Sequence, residues 1–501
     1  MTIYQNVQGL LEYGVQQGLL EREDLVYSRN RLMELLRLDD WRDCEGASGE
    51  LHELLNSILN WAFANKLLET NTLTERDIFD TEIMNCLMGR PSEIVKEFRE
   101  NYKESPDKAT DRYYHLSLAS NYIRKDRVAK NLEWKTPTPY GEIDITINLS
   151  KPEKDPKEIQ MLKSAPQSSY PKCALCRENE GYRGNLRNAA RATHRIIPLS
   201  LNEENWFLQY SPYVYYNEHC IVFRAEHVPM KISGDTFKRL LEFTEQFPHY
   251  FVGSNADLPI VGGSILTHDH FQGGRYEFAI ERAATEEPAV LEAFPSVTIS
   301  RVNWPMSVIR VQGSKDEVKQ VTEYIWRSWQ TYNDEEAGIQ AFSGEIPHNT
   351  VTPIARRRGD LYEMDVVLRN NRTSKEHPHG IFHPHQELHH LKKENIGLIE
   401  VMGLAVLPGR LSEELKITSY YLVEQRPKEN WDESVLKHWD WAQEILKKHA
   451  DITTENVEGI IQAEVGAAFQ TVLEHAGVFK QTPEGTQAFQ RFIQHLKTHL
   501  K

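Results

Sequence analysis

Thr267-His268-Asp269-His270-Phe271-Gln272-Gly273-Gly274 follows shortly after Gly262-Gly263-Ser264, and the reading of the chain turns on this stretch. Side chains of a strand alternate between faces, so positions 268, 270 and 272 are expected to point the same way. Two imidazoles and an amide then stand beside a glycine-rich backbone that can approach a phosphate closely. That arrangement suits chemistry at phosphorus. The competing reading is a pair of hydrogen-bonded strand histidines with no chemistry at all. Ser264 and the backbone N–H groups around Gly263 are candidate phosphate donors, an ordinary turn being the alternative.

Working outward, Ile143, Ile145, Ile147 and Leu149 alternate with polar residues as in a half-buried strand. Strands are also expected at Trp206–Tyr210 and Cys220–Phe223. A helix follows with Phe237, Leu240, Leu241 and Phe247 on its apolar side. A second unit repeats this order without the histidine pair. It has a strand over Met306–Val311 and a helix opened by Ser314 and Glu317 and striped by Val318, Val321, Ile325 and Trp329. A returning strand covers Asp365–Leu368. The expectation is a duplicated α+β fold with one chemically active half.

The first ~130 residues read as helical, with Leu51, Leu54, Leu55, Ile58 and Leu59 at helical spacing and Thr74/Asp77 as a helix start. They carry no evident chemistry and suit a packing or dimerisation layer. Helical patterns around Val435–Leu446 and Gly459–Leu473 close the chain, with Gly477 as a stop. Four regions follow: 1–135 helical, 136–290 catalytic, 291–430 a degenerate second copy, and 431–501 helical.

Cys173-Ala174-Leu175-Cys176 is the chain's single CxxC, a turn that brings two thiolates to one tetrahedral ion. Histidines must complete such a site. His227 stands directly after the Cys220–Phe223 strand, and His268 is the natural fourth ligand. Cys₂His₂ is a closed set, so the zinc would be structural. A redox pair and two inert thiols remain the alternatives for the cysteines, and a surface position for His227. With His268 on the metal, His270 is left as a nucleophile. A hydrogen bond from one ring nitrogen to a carbonyl would aim the other at the substrate. Gln272 can donate to phosphate oxygens and cannot act as acid or base near neutral pH.

A formal net charge of −15 over 501 residues argues against nucleic acid as the main partner, although clusters such as Arg356-Arg357-Arg358 could serve one nucleotide. No segment approaches the ~20 apolar residues of a membrane span. The start of the chain lacks a signal-like pattern, and five cysteines make no disulfide scaffold. A cytoplasmic location is the natural expectation.

These motifs resemble the galactose-1-phosphate uridylyltransferase family, within the wider histidine-triad group. The family's common form reads His-Pro-His-Gly-Gln where this chain has His268-Asp269-His270-Phe271-Gln272. Similarity to the family's second type extends over essentially the whole chain, including Ser211-Pro212-Tyr213, Asn217-Glu218-His219 and Lys393–Gly403. The resemblance implies exchange of UMP between UDP-glucose and galactose 1-phosphate, with His270 carrying the uridylyl group and Gln272 binding its phosphate. It implies zinc on Cys173, Cys176, His227 and His268, a hexose contact at Glu400, and a homodimer. The common form's second metal uses histidines where this chain reads Val366-Val367-Leu368-Arg369-Asn370, so that metal is not carried over. For His377, His379, His383, His385, His389 and His390 the expectation is a solvated loop leading into Lys392–Gly403, with metal binding as the alternative. Whether Arg183, Arg187 and Arg191 face a nucleotide or solvent stays open. The rivals are a histidine-triad dinucleotide phosphorylase or hydrolase, and a non-enzymatic zinc-stapled binding module.

Overall fold

The computed structural model describes residues 2–150, 169–286 and 288–499. Helices and antiparallel sheet make it an α+β protein. The described residues fall into two compact units. The first comprises Met1–Lys130, Ser150–Val214 and Glu218–Val228; the second comprises Asn131–Leu149, Tyr215–Asn217 and Pro229–Lys501.

In the first unit, helices Ile3–Gln16, Leu25–Leu35, Leu51–Ala64, Leu73–Asn85, Pro91–Glu104 and Pro106–Ala119 form the N-terminal layer. Leu54, Leu55, Ile58 and Leu59 bury the stripe that the spacing predicts. The Leu73–Asn85 helix starts two residues earlier than Thr74 suggests. Its cap is Thr72, whose hydroxyl accepts the Glu75 N–H. Strands β1 (Ile197–Leu201), β2 (Glu204–Tyr210) and β3 (Cys220–Arg224) pair antiparallel in that order. Tyrosines tie them to the helices. Tyr113 Oη donates to Arg195 O at 2.6 Å, Tyr122 Oη to Tyr210 O at 3.1 Å, and Tyr210 Oη to Thr110 O at 3.1 Å. Each apolar ring is buried and each hydroxyl keeps a partner, which is the condition for burying a tyrosine.

The second unit holds β4 (Phe251–Gly253), β5 (His270–Gly274), β6 (Ala289–Leu291), β7 (Phe294–Arg301), β8 (Val308–Gly313), β9 (Asn349–Arg358) and β10 (Leu361–Asn370). They are ordered β5-β4-β9-β10-β8-β7-β6, each antiparallel to its neighbour. The duplication is visible in chain order. Three strands, a helix and two strands occur as β1-β2-β3, Gly234–Gln246, β4-β5. They occur again as β6-β7-β8, Lys315–Gln330, β9-β10, with only a two-residue-strand hairpin added. Within the second unit the copies meet where β4 pairs with β9, Gly253 opposite Ile354.

Val318, Val321, Ile325 and Trp329 bury one face of the second copy's helix, as their spacing predicts. A small sheet pairs Leu132–Thr138 with Gly141–Ile147, and the latter runs parallel to Leu404–Leu407. Ile143, Ile145 and Ile147 join Trp304, Val367 and Leu398 in the core. Helices Leu411–Val423, Trp439–Lys448, Val457–Ala476 and Pro483–His499 follow in the same unit. No helix of the described residues is long and apolar enough to cross a membrane.

Candidate active site and metal centre

In the first unit the CxxC forms a tight knuckle. The Cys176 N–H donates to Cys173 O at 3.3 Å, and Leu175 N–H points at Cys173 Sγ at 3.4 Å. Asn179 Nδ2 closes the turn by donating to the carbonyls of both cysteines, at 2.9 and 2.8 Å. The two sulfurs stand 3.5 Å apart, and Cys176 Sγ is 3.1 Å from His227 Nδ1. A disulfide requires about 2.05 Å, whereas a tetrahedral zinc with Zn–S near 2.3 Å spaces its sulfurs about 3.8 Å apart. The donor atoms therefore already converge as a metal edge converges. Burial pushes the Cys176 thiol up to about 11, so a nearby cation is what would favour its thiolate. Two soft sulfurs and an imidazole are a donor set that fits zinc.

In the second unit His268, Asp269 and His270 are buried. The strand begins only at His270, with Gln272 opposite Gly253. His268 sits in the bend before it, so its direction comes from that bend and not from pleat alternation. His270 Nδ1 lies 2.8 Å from His268 O. A carbonyl can only accept, so Nδ1 carries the proton and Nε2 keeps its lone pair. Burial lowers the His270 pKa to about 4, partly opposed by that same hydrogen bond. A neutral imidazole of fixed tautomer is a nucleophile ready for phosphorus.

Residues 18–229 match the family model for the galactose-1-phosphate uridyl transferase N-terminal domain, and 242–443 match that for its C-terminal domain. The chain belongs to this family. Relatives named galactose-1-phosphate uridylyltransferase occur in Halalkalibacterium halodurans, 55% identical with 97% of each chain covered, and in Bacillus subtilis, 53% identical with 99% of this chain and 98% of that one covered. A third, from Clostridium acetobutylicum, is 52% identical over 98% of this chain and 99% of its own. A crystal structure of yeast Ap4A phosphorylase Apa2 aligns at 12% identity and a TM-score of 0.32, over 65% of this chain and 92% of that one. So low a score bears on neither fold nor chemistry.

Other residues expected at the family's site are placed as follows. A Cβ on Gly263 would come within 2.6 Å of the Asn255 side chain, so close packing explains this glycine better than backbone twist. Ser264 is exposed. Glu400 accepts from Lys392 Nζ through Oε1 at 2.8 Å and from the Gly397 N–H through Oε2 at 3.1 Å. Each of those oxygens retains a second lone pair. Asn179, Asn255 and Lys392 were missed as supports. Only Asn179 had a readable signal, an amide three residues beyond the CxxC.

The late histidines are largely bound to one another and to carbonyls. His390 Nδ1 meets His438 Nδ1 at 2.7 Å, and His438 Nε2 meets Glu414 at 3.0 Å. His385, Glu387 and His475 bring ligand atoms within 4.8 Å of one another. There Glu387 is largely exposed, and Lys480 adds positive charge beside both rings.

Proposed function

We propose that this chain transfers uridylyl groups between UDP-glucose and galactose 1-phosphate, by a ping-pong route through a uridylyl-histidine at His270. The observation that carries the reading is the 2.8 Å bond from His270 Nδ1 to His268 O, which presents Nε2 as the free nucleophile. Nε2 attacks the α-phosphorus of UDP-glucose. A P–N bond forms, the P–O bond breaks, and glucose 1-phosphate leaves as a phosphate monoester that needs little acid assistance. The imidazole becomes cationic in the adduct, and the His268 carbonyl is already placed to take the strengthened Nδ1–H bond. A phosphate oxygen of galactose 1-phosphate then attacks the same phosphorus and releases the imidazole. Gln272 binds the transferred phosphate by donation from its amide; Gly263 and Ser264 contribute to phosphate binding, and Glu400 to the hexose.

Cys173, Cys176, His227 and His268 are assigned to one zinc, whose contribution is to tie the His268 bend in place. Convergence of the first three donors in the first unit supports this. Zinc content near one equivalent per chain, falling in Cys176→Ser, is the expected analysis. A homodimer, a cytoplasmic location and the division at 1–135, 136–290, 291–430 and 431–501 belong to the same proposal.

The deciding experiment incubates the protein with labelled UDP-glucose, with and without galactose 1-phosphate, then maps any acid-labile, base-stable nucleotidyl adduct by mass spectrometry. Sugar exchange with label on His270 is expected. Release of free UMP without exchange would instead identify a hydrolase, and no turnover at all a binding module.

A further inference from the structure

The short strands Phe342–Ser343 and Ile346–Pro347 pair as the hairpin added to the second copy. Gly344, at φ +62, takes the first of the two turn positions, where a positive φ favours glycine. The hairpin feeds directly into β9, and His348 stands at the junction. Its N–H donates to Ala341 O at 2.8 Å, and its carbonyl accepts the Asn371 N–H at 3.1 Å just beyond β10. Asn349 and Asn370 are partners in the β9–β10 ladder, so His348 and Asn371 extend that register by one step.

Three side chains line up across this junction. His348 Nδ1 lies 2.8 Å from Asn371 Oδ1, and His348 Nε2 lies 2.8 Å from Ser343 Oγ. An amide oxygen can only accept, so Nδ1 carries the proton. Nε2 is then the acceptor, and the Ser343 hydroxyl donates to it. A hydroxyl aimed at an imidazole whose tautomer a third group fixes has the arrangement of a nucleophile, its base and an orienting residue. An amide fills the third place in Cys-His-Asn sets, so a carboxylate is not required there. Burial is graded in the same sense: His348 is 8% exposed, Asn371 is half-buried and Ser343 is exposed. A ring that needed only to have its nitrogens satisfied would be served by two buried partners. Here one partner is a hydroxyl that meets solvent.

Ser343 and Ile346 stand opposite each other in the hairpin, and His348 follows Ile346 by two residues, so the three side chains share a face. Ile346, 63% exposed, therefore presents an apolar side chain beside the hydroxyl. We propose that Ser343 is an acyl-accepting nucleophile for esters of small apolar carboxylic acids, with His348 as its base and Asn371 as its positioning residue. Ser343 Oγ attacks the ester carbonyl carbon and passes its proton to His348 Nε2. A C–O bond to Ser343 forms, the C–O bond to the leaving alcohol breaks, and His348 returns the proton to the departing oxygen. Water repeats the sequence, releasing the carboxylic acid and restoring Ser343. The site shares no residue with the uridylyl-transfer reading and does not rest on it.

Incubation of the full-length protein with p-nitrophenyl butyrate, followed by acid quenching and peptide mass spectrometry, tests the proposal. A butyryl group on Ser343 is expected, with p-nitrophenol released about tenfold or more faster than by Ser343→Ala. Sugar exchange should be the same in both proteins. Asn371→Ala should slow release about tenfold, because the ring loses its fixed tautomer, whereas Asn371→Asp should match or exceed the wild-type rate by favouring the protonated imidazole. A residue that only braced the hairpin would not give the aspartate that advantage. Should the Asn371 variants fail to fold, Ser343→Cys provides a second measurement. Its thiol should react with iodoacetamide about tenfold faster than the same thiol in the Ser343→Cys/His348→Gln double variant. A butyryl group found only on other residues, equal release by wild type and Ser343→Ala, or a thiol indifferent to His348 overturns the proposal.

Discussion

Strands β5 and β10 close the two copies of the same element order, yet they treat their buried polar groups in opposite ways. On β5, His270 is kept neutral by burial, has one nitrogen bonded to a carbonyl, and keeps the other lone pair in reserve. On β10, Asp365 is fully saturated. Arg310 reaches it at 2.7 and 2.9 Å, Arg356 closes from the neighbouring strand, and Glu363 beside it forms an ion pair with Arg356, 3.0 Å from Nε. Burial would raise the Asp365 pKa, but Arg356 and Arg310 hold it below the usual carboxylate range. On the function proposed above, His270 would use the ring nitrogen opposite its carbonyl bond, whereas both Asp365 oxygens are taken by guanidinium groups.

The comparison is broken most directly at His270. His270→Asn should lower the rate of sugar exchange about 10⁴-fold or more, because no other side chain on β5 can form the covalent intermediate. The thermal midpoint should hardly move. Exchange surviving within tenfold of wild type would remove β5 from the chemistry. The next largest effect belongs to β10. Asp365→Ala strands Arg310 and Arg356 in the interior and should cost about 3–5 kcal/mol, read from urea midpoints. A loss below about 1 kcal/mol would show that the network is idle. Replacing Arg310 by Met and Asp365 by Leu together should be milder than Asp365→Ala, because only Arg356 then loses a partner and Glu363 still lies 3.0 Å from it.

Gln272 sharpens the contrast within β5. Gln272→Ala should lower kcat about 10²-fold if its amide donates to the phosphate as charge shifts there. A change under threefold would leave His270 as the strand's only working side chain. Gln272→His adds an ionisable group and should raise hydrolysis of UDP-glucose in the absence of acceptor. An unchanged hydrolysis rate would count against the idea that the amide favours transfer.

The opposed strands also show what the sequence could reveal. Short motifs with fixed chemistry, His268-Asp269-His270 and Cys173–Cys176, were readable because their spacing has few other uses. So were stripes such as Val318, Val321, Ile325 and Trp329, since burial of an apolar face imposes a period. β9 and the full length of β10 were not readable. Arg356, Glu363 and Asp365 break the apolar pattern, and composition assigns charges to the surface, whereas here they are buried as mutual partners. The contact between Arg191 and the Tyr122 ring in the first unit was hidden for a related reason. Tyr122 and Arg191 lie far apart in sequence, and only the fold puts the guanidinium over the ring.

The smallest expected effect concerns the histidines beyond β10, which resemble those of β5 in composition and differ in partners. Burial lowers His383 to about 4 and His390 to about 3, and His438 is depressed as well. An unfolded histidine titrates near 6.5, so the unfolded chain takes up protons first on acidification. The stability these rings contribute is therefore complete above pH ~6.5 and is lost as pH falls towards 4. Glu414, which accepts from His438 and whose pKa is lowered by Lys437, His438 and Arg410 against the effect of burial, adds loss in the same direction. Urea midpoints measured at pH 7.5 and pH 5 should fall, and His383→Asn should reduce that fall by about 1 kcal/mol. An identical pH dependence in the variant would mean that His383 is not held neutral by the fold. These rings would then differ from His270 in position only, and not in the way their nitrogens are satisfied.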